Sequence, residues 1–517
     1  MSKRFYLTTA IAYPNGRPHM GHAYEAITTD VIARFKRLDG HDVRFLTGTD
    51  EHGLKIDQAA RAAGQAPKAY VDQMVAPFRA LDEALGISFD RFIRTTDEDH
   101  KALVQALWER MAAKGDLYLG RYEGWYSVRD EAYYDDAELV DAEDAAGNRV
   151  RLSPQGTPVE WTVEESWFFK LSAYQEPLLR LYADQPDFIQ PTSRFNEMRS
   201  FVSGGLSDLS VSRTSFSWGI PVPGSPGHVM YVWLDALANY LTGADDSGQG
   251  RLDGAWWPAD LHVVGKDVVR FHTVYWPAFL MSAGLPLPKT VFGHGFLLNR
   301  GQKMSKSVGN VVDPAEMAQR FGVDRLRWFL CREVAFGEDG SYSDEAIVER
   351  TNADLANGIG NLAQRSLSMV AKNLGGVMPE RAGTPGESEA ALKESFMALT
   401  EAYFAAMNAL ALNKALDAVM GLVTAANGYF AENAPWALAK TDPVRMAEVL
   451  AATLDAARRI VLLVQPFMPD SAAQLLDQLG VAADARAFSA FTTPVPTGTQ
   501  LPTPAGVFPR IALEVAA

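Results

Sequence analysis

The sequence has almost none of the residues that build disulfide or zinc–thiolate scaffolds. Cys331 is the single cysteine among 517 residues. One thiol excludes an intrachain disulfide framework and a zinc site made of several cysteines, and it is typical of a reducing compartment.

Long apolar runs and excess positive charge are also missing. No run of eighteen apolar residues occurs, and the first residues, MSKR, lead directly into a strand pattern instead of a signal peptide. We therefore expect a soluble, cytoplasmic protein without a membrane partner. The 48 Lys and Arg are outnumbered by 63 Asp and Glu, which gives a net charge of −15. Any nucleic-acid partner should therefore be held by local basic surfaces.

What the sequence does contain is a strand–helix–strand pattern near its start. Residues 4–9 resemble a strand, apolar residues from position 20 recur at helical spacing, and VRFLTGTD at 43–50 resumes a buried strand. A second unit of this kind lies near residues 261–295. Such units form parallel sheets that bind ligands at the carboxyl ends of their strands. We predict an α/β fold of the Rossmann type, split into two halves.

The rest of the chain divides by composition. Residues 115–228 are rich in Tyr, Trp, Gly and Pro and predict an inserted subdomain. After about residue 350 the chain is rich in Ala and Leu, and its helical period predicts a bundle. The predicted order is sheet domain 1–114, insertion 115–228, sheet domain 229–295, a loop-containing connection 296–350, helical bundle 351–495 and extended tail 496–517.

The motif HMGH occupies residues 19–22, where the first helix is predicted to begin. A helix N-terminus attracts phosphate through its backbone N–H groups and its dipole. Gly21 would let a ligand approach the backbone, and His19 and His22 would donate hydrogen bonds to phosphate oxygens. Taken alone, the motif favours a plainer interpretation in which both histidines are caps or surface residues.

A second motif, KMSKS, occupies residues 303–307 between Gly301 and Gly309. A cationic loop between glycines suits a polyphosphate whose charge moves during a reaction. A short run of Lys and Ser is usually a solvated loop, but the occurrence of both motifs, in this order around a split sheet domain, counts against that explanation.

With these two motifs the chain resembles the class I aminoacyl-tRNA synthetases, and among them the methionyl-tRNA synthetase family. HMGH is similar to the His-Ile-Gly-His signature and KMSKS matches the second signature in full. The similarity continues through AYPNG, TDEHG, YVWLDAL, VVGKD, GNLAQR and ENAPW. The resemblance implies a ligase that converts methionine and ATP, with Mg²⁺, to methionyl-adenylate and pyrophosphate. The methionyl group would then pass to the terminal adenosine of methionine tRNA, initiator and elongator.

The resemblance also implies a catalytic and ATP-binding set. His19 and His22 would hold the phosphates from the helix side, while Lys303 and Lys306 would close over the β- and γ-phosphates. Asp267 would bind the ribose, although it could also be a helix N-cap. The implied ATP-binding residues are His19, Gly21, His22, Gly265, Asp267, Lys303, Met304, Ser305, Lys306 and Ser307.

The implied methionine site combines one charge with an apolar enclosure. Asp50 would bind the ammonium group, and Tyr240 and His272 would offer weak hydrogen bonds to the thioether sulfur. Ordinary core packing is the alternative for the apolar members, and Leu237, where some family members have proline, leaves the shape of one wall open. The matching positions are Ile11, Tyr13, Asp50, Trp233, Ala236, Tyr240, Val268 and His272.

The insertion departs from many family members, which have a cysteine zinc knuckle there. Ser127 lies in GWYSVRDEAYY, where a cysteine would be plausible. We therefore expect no structural zinc and a knuckle held by aromatic packing. The insertion is also too short for the editing domain of the branched-chain synthetases.

In the bundle, Asn361, Arg365 and Trp436 match family residues that contact anticodon bases by stacking and edge hydrogen bonds. Trp436 could instead be a core residue after Pro435, and Arg365 could lie on a solvated helix face. The sequence shows no further domain after the bundle, so we expect a monomer.

Two alternatives from other classes stay open. A small-molecule nucleotidylyltransferase also uses an H-x-G-H helix start, but it has no use for a long helical domain. A catalytically silent tRNA-binding protein would keep the bundle, but it would not need the histidines and lysines. Among the synthetases, the cysteine enzymes need zinc ligands that are absent here, and the branched-chain enzymes need their editing domain.

Overall fold

The structure is a computed structural model that describes residues 3–130, 132–144, 148–304, 310–380 and 386–512. Its first part alternates strands and helices. In chain order these are β1 (Arg4–Thr9), α1 (Met20–Leu38), β2 (Asp42–Thr49), α2 (Leu54–Ala62), α3 (Pro67–Ala84), β3 (Arg91–Arg94) and α4 (Glu98–Lys114).

The next part is mostly antiparallel strands with two helices. It comprises β4 (Leu117–Ser127), β5 (Ala132–Tyr134), β6 (Val140–Glu143), β7 (Arg149–Leu152), β8 (Glu160–Phe169), α5 (Gln175–Asp184), β9 (Ile189–Gln190), α6 (Thr192–Ser203), β10 (Leu209–Ser210), β11 (Ser212–Arg213) and β12 (Val229–Met230). The long antiparallel strands β4 and β8, extended by β5 and β10, form a four-stranded sheet.

The chain then returns to alternating strands and helices. These are α7 (Val232–Ala244), β13 (Leu261–Gly265), a π-helical turn (Phe271–Tyr275), α8 (Trp276–Ala283), β14 (Val291–His294), β15 (Leu297–Asn299), β16 (Gln302–Lys303), α9 (Pro314–Phe321), α10 (Val323–Glu333), β17 (Gly340–Tyr342) and α11 (Asp344–Arg350).

The last part is helical. After π-helical turns at Thr351–Gly360 come α12 (Asn361–Asn373), α13 (Glu387–Asn408), α14 (Leu412–Asn433), α15 (Pro435–Thr441), α16 (Pro443–Val464) and α17 (Pro469–Gln478). Within the ranges given above, no helix is long and apolar enough to cross a membrane.

Six strands form the central sheet in the order β3-β2-β1-β13-β14-β9, and every neighbouring pair is parallel. From β1 the chain runs through α1 to β2 on one side, while β13, on the other side, is reached only after the insertion. A crevice therefore opens beyond the carboxyl ends of β1 and β13, which is where open parallel sheets bind ligands. This topology confirms the predicted α/β fold with a parallel sheet and a helical C-terminal part.

One strand of the sheet comes from an unexpected place. β9 is only two residues long and lies inside the segment 115–228, yet it pairs with β14 through Ile189 and Gln190. Two residues show no periodicity, so composition could not separate this strand from the insertion around it.

Helix α1 connects the crevice with the bundle. Its buried face includes Ile27 and Phe35. The helix ends at Leu38, and the chain turns at Asp39 and Gly40, where Gly40 has φ +83°, a value that L-residues rarely adopt. Near its far end, Phe35 packs against Tyr403 and Phe404, at ring-centroid distances of 6.2 and 5.9 Å.

A buried ion pair fixes the same helix to α10 and the bundle. The Arg327 Nη2 atom lies 2.6 Å from Asp30 Oδ2, and both side chains are fully buried. The guanidinium also donates to the carbonyls of Phe467 (3.0 Å) and Pro466 (2.9 Å). Burial alone would raise the pKa of Asp30, but Arg327 and Arg34 hold that pKa below its ordinary value. Because the Asp30 carboxylate and the Arg327 guanidinium have these partners, the ion pair fixes the orientation of α1, α10 and the bundle relative to one another.

The C-terminal segment is extended and is hydrogen-bonded along its length to the bundle. Met378 N–H donates to the carbonyl of Thr499 (2.9 Å), and Leu501 N–H donates to that of Gly376 (2.8 Å). Further on, Asn352 and the backbone of Ile511 exchange two hydrogen bonds of 2.8 and 3.0 Å. The tail thereby holds the π-helical turns that precede α12.

Candidate active site

The two motif histidines lie at the first turn of α1, at the mouth of the crevice. His19 is the N-cap, and its Nδ1 accepts the N–H of Gly21 at 3.1 Å. His22 Nδ1 accepts the N–H of His19 at 3.1 Å, and the two ring centroids are 3.9 Å apart. An imidazole whose Nδ1 accepts carries its proton on Nε2 when neutral. Both rings therefore cap the helix and also present an Nε2–H donor, so the capping and phosphate-binding interpretations are compatible.

Gly21 is needed for this arrangement. A Cβ added at Gly21 would lie 2.9 Å from Cε1 of His19. A side chain at this position would therefore displace the imidazole that caps the helix.

The GKD segment forms the other side of the crevice. Gly265 ends β13, and a Cβ there would lie 2.6 Å from Oδ1 of Asp267. Asp267 is exposed in the turn that follows, while the N–H of Lys266 donates to the carbonyl of His294 at 2.9 Å. The Asp267 carboxylate thus lies against the backbone of Gly265 at the carboxyl end of β13.

Sequence reasoning missed a titratable pair in the same crevice. Glu25 Oε2 lies 2.8 Å from His294 Nε2, and His294 Nδ1 donates to the carbonyl of Gly295 at 2.8 Å. Burial raises the pKa of Glu25. Burial by itself would lower the pKa of His294, but the hydrogen bond to Glu25 raises that pKa above its ordinary value. The pair lies close to the GKD segment, because a Cβ at Gly265 would lie 4.0 Å from Cε1 of His294 and the His294 carbonyl accepts the N–H of Lys266.

Two signals could have revealed this pair. Glu25 is four residues after Gly21, on the same face of α1, and His294 is the last residue of β14, at the ligand-binding edge of the sheet.

Asp50 and the residues after β1 meet at neighbouring strand ends. Asp50 is buried directly after β2, and its N–H donates to the carbonyl of Ala12 at 2.9 Å. Tyr13 donates its hydroxyl to the carbonyl of His52 at 3.0 Å, and Ile11 and Tyr13 are half-buried. The backbone of Asp50 therefore lies beside Ala12, between the two residues predicted after the first strand.

The other ring-bearing members of the predicted methionine site, Trp233, Tyr240 and His272, come from α7 and the π-helical turn. Trp233 stacks on Phe271 with a centroid distance of 3.8 Å and an interplanar angle of 6°. The Trp233 ring lies edge-on to His272 at 6.3 Å. Ala236 is buried on the same helix, and Val268 is half-buried.

Tyr240 and His272 form a directed hydrogen-bond chain. His272 Nδ1 donates to the carbonyl of Val268 at 2.8 Å, so Nε2 accepts the hydroxyl proton of Tyr240 at 2.6 Å. Burial lowers the pKa of His272 to about 4, which keeps the ring neutral near pH 7. The Nδ1 proton of His272 and the hydroxyl proton of Tyr240 are thus both hydrogen-bonded within the protein. A hydrogen bond from Tyr240 to a thioether would require breaking the Tyr240–His272 hydrogen bond.

The second motif lies partly outside the described residues. The backbone of Lys303 pairs with Leu298 in the small sheet of β15, β16 and β17, and Met304 packs against the core. The side chain of Lys303 and all of Ser305, Lys306 and Ser307 lie outside the described part of the chain.

In the bundle, two of the predicted anticodon residues, Arg365 and Trp436, are exposed and lie side by side. The Arg365 guanidinium lies 5.6 Å from the ring centroid of Trp436 and 4.9 Å from that of Phe430. Asn361 begins α12 one turn before Arg365. Trp436 is 48% exposed, which disagrees with a core role for this ring.

In the insertion, hydrogen bonds between hydroxyl and carboxylate groups hold the knuckle segment together, in addition to the expected aromatic packing. Buried Ser127 Oγ bonds Thr157 Oγ1 at 2.7 Å and accepts the N–H of Asp130 at 3.1 Å. The Asp130 carboxylate also accepts the hydroxyl of Ser153 at 2.6 Å. Aromatic packing contributes at one end, where Trp125 and Trp161 meet edge to face at 5.4 Å.

Comparisons with known proteins agree with this geometry. The family model for tRNA synthetases class I (M) matches residues 5–367, and the model for the anticodon binding domain of methionyl tRNA ligase matches residues 378–516. The chain is 58% identical over 511 residues to the methionine–tRNA ligase of Mesorhizobium japonicum, with 98% of both chains covered.

Solved structures give the same result. The chain is similar to Mycobacterium tuberculosis methionyl-tRNA synthetase in complex with methionyl-adenylate, with a TM-score of 0.94 and 56% identity over 98% of this chain and 100% of that one. The apo form of the M. tuberculosis protein gives a TM-score of 0.89 at 52% identity, with 99% of both chains covered. The chain belongs to the methionyl-tRNA synthetase family of the class I tRNA synthetases.

Proposed function

We propose that the chain is a methionine–tRNA ligase that forms methionyl-adenylate from methionine and ATP and then charges methionine tRNA. One observation carries this proposal. The helix start with His19 and His22, the Gly265–Asp267 turn and the buried carboxylate of Asp50 all lie at the carboxyl ends of neighbouring strands in one sheet.

In the first step the methionine carboxylate attacks the α-phosphorus of ATP and pyrophosphate leaves. The protein contributes positioning and charge neutralisation, and no covalent enzyme intermediate is needed. The Nε2–H groups of His19 and His22 donate to phosphate oxygens as charge grows on them. Lys303 and Lys306 neutralise the leaving pyrophosphate, Asp267 holds the ribose, and Asp50 holds the substrate ammonium.

In the second step a hydroxyl of the terminal tRNA ribose attacks the methionyl carbonyl carbon. The ester forms as the bond between the carbonyl carbon and the phosphate oxygen breaks, AMP leaves with the electron pair of that bond, and the hydroxyl proton is released. Asn361, Arg365 and Trp436 supply the edge and stacking contacts that single-stranded bases take up. We assign catalysis to the parallel-sheet part and tRNA selection to the bundle, in a cytoplasmic monomer that binds both initiator and elongator tRNA.

Mg²⁺ is assigned to the nucleotide and not to a protein site. Among the residues that the structure describes, no group of three His, Cys, Asp or Glu side chains could hold a metal ion. When bound to ATP, Mg²⁺ would share the charge of the phosphates.

The purified protein should contain no stoichiometric structural zinc. The Ser127–Asp130–Ser153–Thr157 cluster ties together the segment where a zinc knuckle would lie, so its integrity does not depend on a metal. We expect an unchanged melting temperature in a zinc chelator, since folding here is not coupled to metal binding. About one zinc per chain in elemental analysis would contradict this expectation.

The proposed function is tested by exchange of labelled pyrophosphate into ATP with each amino acid supplied singly. Methionine alone should support exchange, and methionine tRNA should then be charged. A small-molecule nucleotidylyltransferase would show no exchange that depends on an amino acid, and a catalytically silent tRNA-binding protein would bind tRNA without exchange.

A further inference from the structure

A buried carboxylate that no step above uses lies behind the methionine site. Asp235, on α7, is 1% exposed, and each of its oxygens accepts a hydrogen bond from a different buried histidine. His52 Nδ1 lies 2.6 Å from Oδ2, and His100 Nε2 lies 2.7 Å from Oδ1. The second ring nitrogen of His100, Nδ1, lies 2.9 Å from the hydroxyl of Thr242.

The two histidines come from different parts of the sheet domain. His52 follows Asp50 by two residues at the end of β2, whereas His100 lies in the first turn of α4. The backbone around His52 is held further, because its carbonyl accepts the Tyr13 hydroxyl (3.0 Å) and the carbonyl of Glu51 accepts the Trp218 indole N–H (2.6 Å).

Asp235 lies on the helix that forms one wall of the pocket. On α7 it lies two residues after Trp233, next to Ala236 and five residues before Tyr240. The His52–Asp235 hydrogen bond therefore connects the segment that carries Asp50 to the helix that carries the aromatic wall.

We propose that Asp235, held by His52 and His100, is a positioning residue that sets the distance and orientation of Asp50 relative to the pocket wall on α7. The proposal rests on the proposed function, since it assigns these residues to the methionine site of that reaction. Asp235 acts through its neighbours and does not touch the substrate.

The energetics favour a fixed arrangement. Burial alone would raise the pKa of Asp235, but His52 and His100 hold that pKa below its ordinary value, so the carboxylate stays ionised. An ionised carboxylate without water must keep its donors, because losing one leaves a buried charge partly unmatched. Small misplacements of binding groups are costly in sites of this kind, so loss of either donor should weaken methionine binding specifically.

The experiment compares variants that keep the hydrogen bond from His52 or His100 to Asp235 with variants that lose it. Asparagine reproduces the Nδ1 position of histidine and glutamine the Nε2 position. His52→Asn and His100→Gln therefore keep the hydrogen bond to Asp235, whereas His52→Leu and His100→Leu remove it. His41→Asn, at a histidine that precedes β2 and so lies at the opposite edge of the sheet from His52, is the matched control.

We expect each leucine variant to raise the KM for methionine in pyrophosphate exchange about tenfold, equivalent to about 1.4 kcal/mol of binding free energy, with the KM for ATP changed less than twofold. His52→Asn, His100→Gln and His41→Asn should stay within about threefold of the parent protein for methionine. If a leucine variant does not fold, His52→Gln and His100→Asn replace it, because each keeps an amide but displaces it from the bonding position.

Three outcomes would overturn the proposal. The KM values for methionine and ATP could rise together, the variants could lose only melting temperature, or His52→Asn could be as defective as His52→Leu. Failure of the proposed function is a separate result, since the unaltered protein would then show no methionine-dependent exchange.

Discussion

Replacing His22 by asparagine is expected to slow methionyl-adenylate formation by roughly tenfold to a thousandfold, the range for losing one transition-state donor. Asparagine can still accept the N–H of His19 through Oδ1, so the cap of α1 survives. The distal Nε2–H donor is lost. The substitution therefore separates the capping role of His22 from its role toward phosphate.

Single-turnover adenylate kinetics, with methionine affinity measured alongside, tests this expectation. Methionine binding should be nearly unchanged, because Asp50 and Trp233 lie on other elements. His41→Asn again controls for a general effect of removing an imidazole. A collapse of methionine affinity with a normal chemical step would show that the role assigned to His22 is wrong.

Truncation of Trp436 to alanine should lower aminoacylation efficiency by roughly fivefold to 150-fold, equivalent to about 1–3 kcal/mol for one base stacked on an aromatic ring. The exposed ring, with Arg365 5.6 Å from its centroid, forms a surface on which a base can stack. Methionine-dependent exchange should stay within about a factor of two, because the sheet crevice is built by other residues. Arg365→Ala should behave similarly through lost base-edge contacts.

The control for this prediction is another exposed apolar residue of the bundle. Met397, on α13, is 65% exposed, and Met397→Ala should change neither charging nor exchange. Measuring exchange, charging and melting temperature on all three variants decides the outcome. Parallel loss of exchange and melting temperature in Trp436→Ala would refute the anticodon assignment.

The sequence was most informative where local pattern and function coincide. Strand–helix–strand periodicity predicts the parallel sheet, and HMGH lies at the start of α1, where a helix N-terminus was expected. These features depend on neighbours in the sequence, so a single chain can reveal them.

Features that depend on distant residues could not be read in this way. Glu25 and His294 are 269 positions apart, and His52 and Asp235 are 183 positions apart. Glu25 on the Gly21 face of α1 and His294 at a strand end each point to the crevice, but no spacing rule says that the members of either pair meet. The Ser127 cluster was missed for a related reason, because absence of cysteine does not say which side chains replace it.

The path of α1 limits which segments recombination between relatives can exchange. One helix begins at the HMGH turn and packs near its other end against Tyr403 and Phe404, while Asp30 in its middle neutralises an arginine that also bonds Pro466 and Phe467. A foreign bundle grafted after α10 would have to reproduce both carbonyl positions and the aromatic contacts of Phe35, or leave a buried guanidinium partly unmatched. The unit that recombination between relatives can move intact is therefore the bundle together with α10 and the facing surface of α1, not the bundle alone.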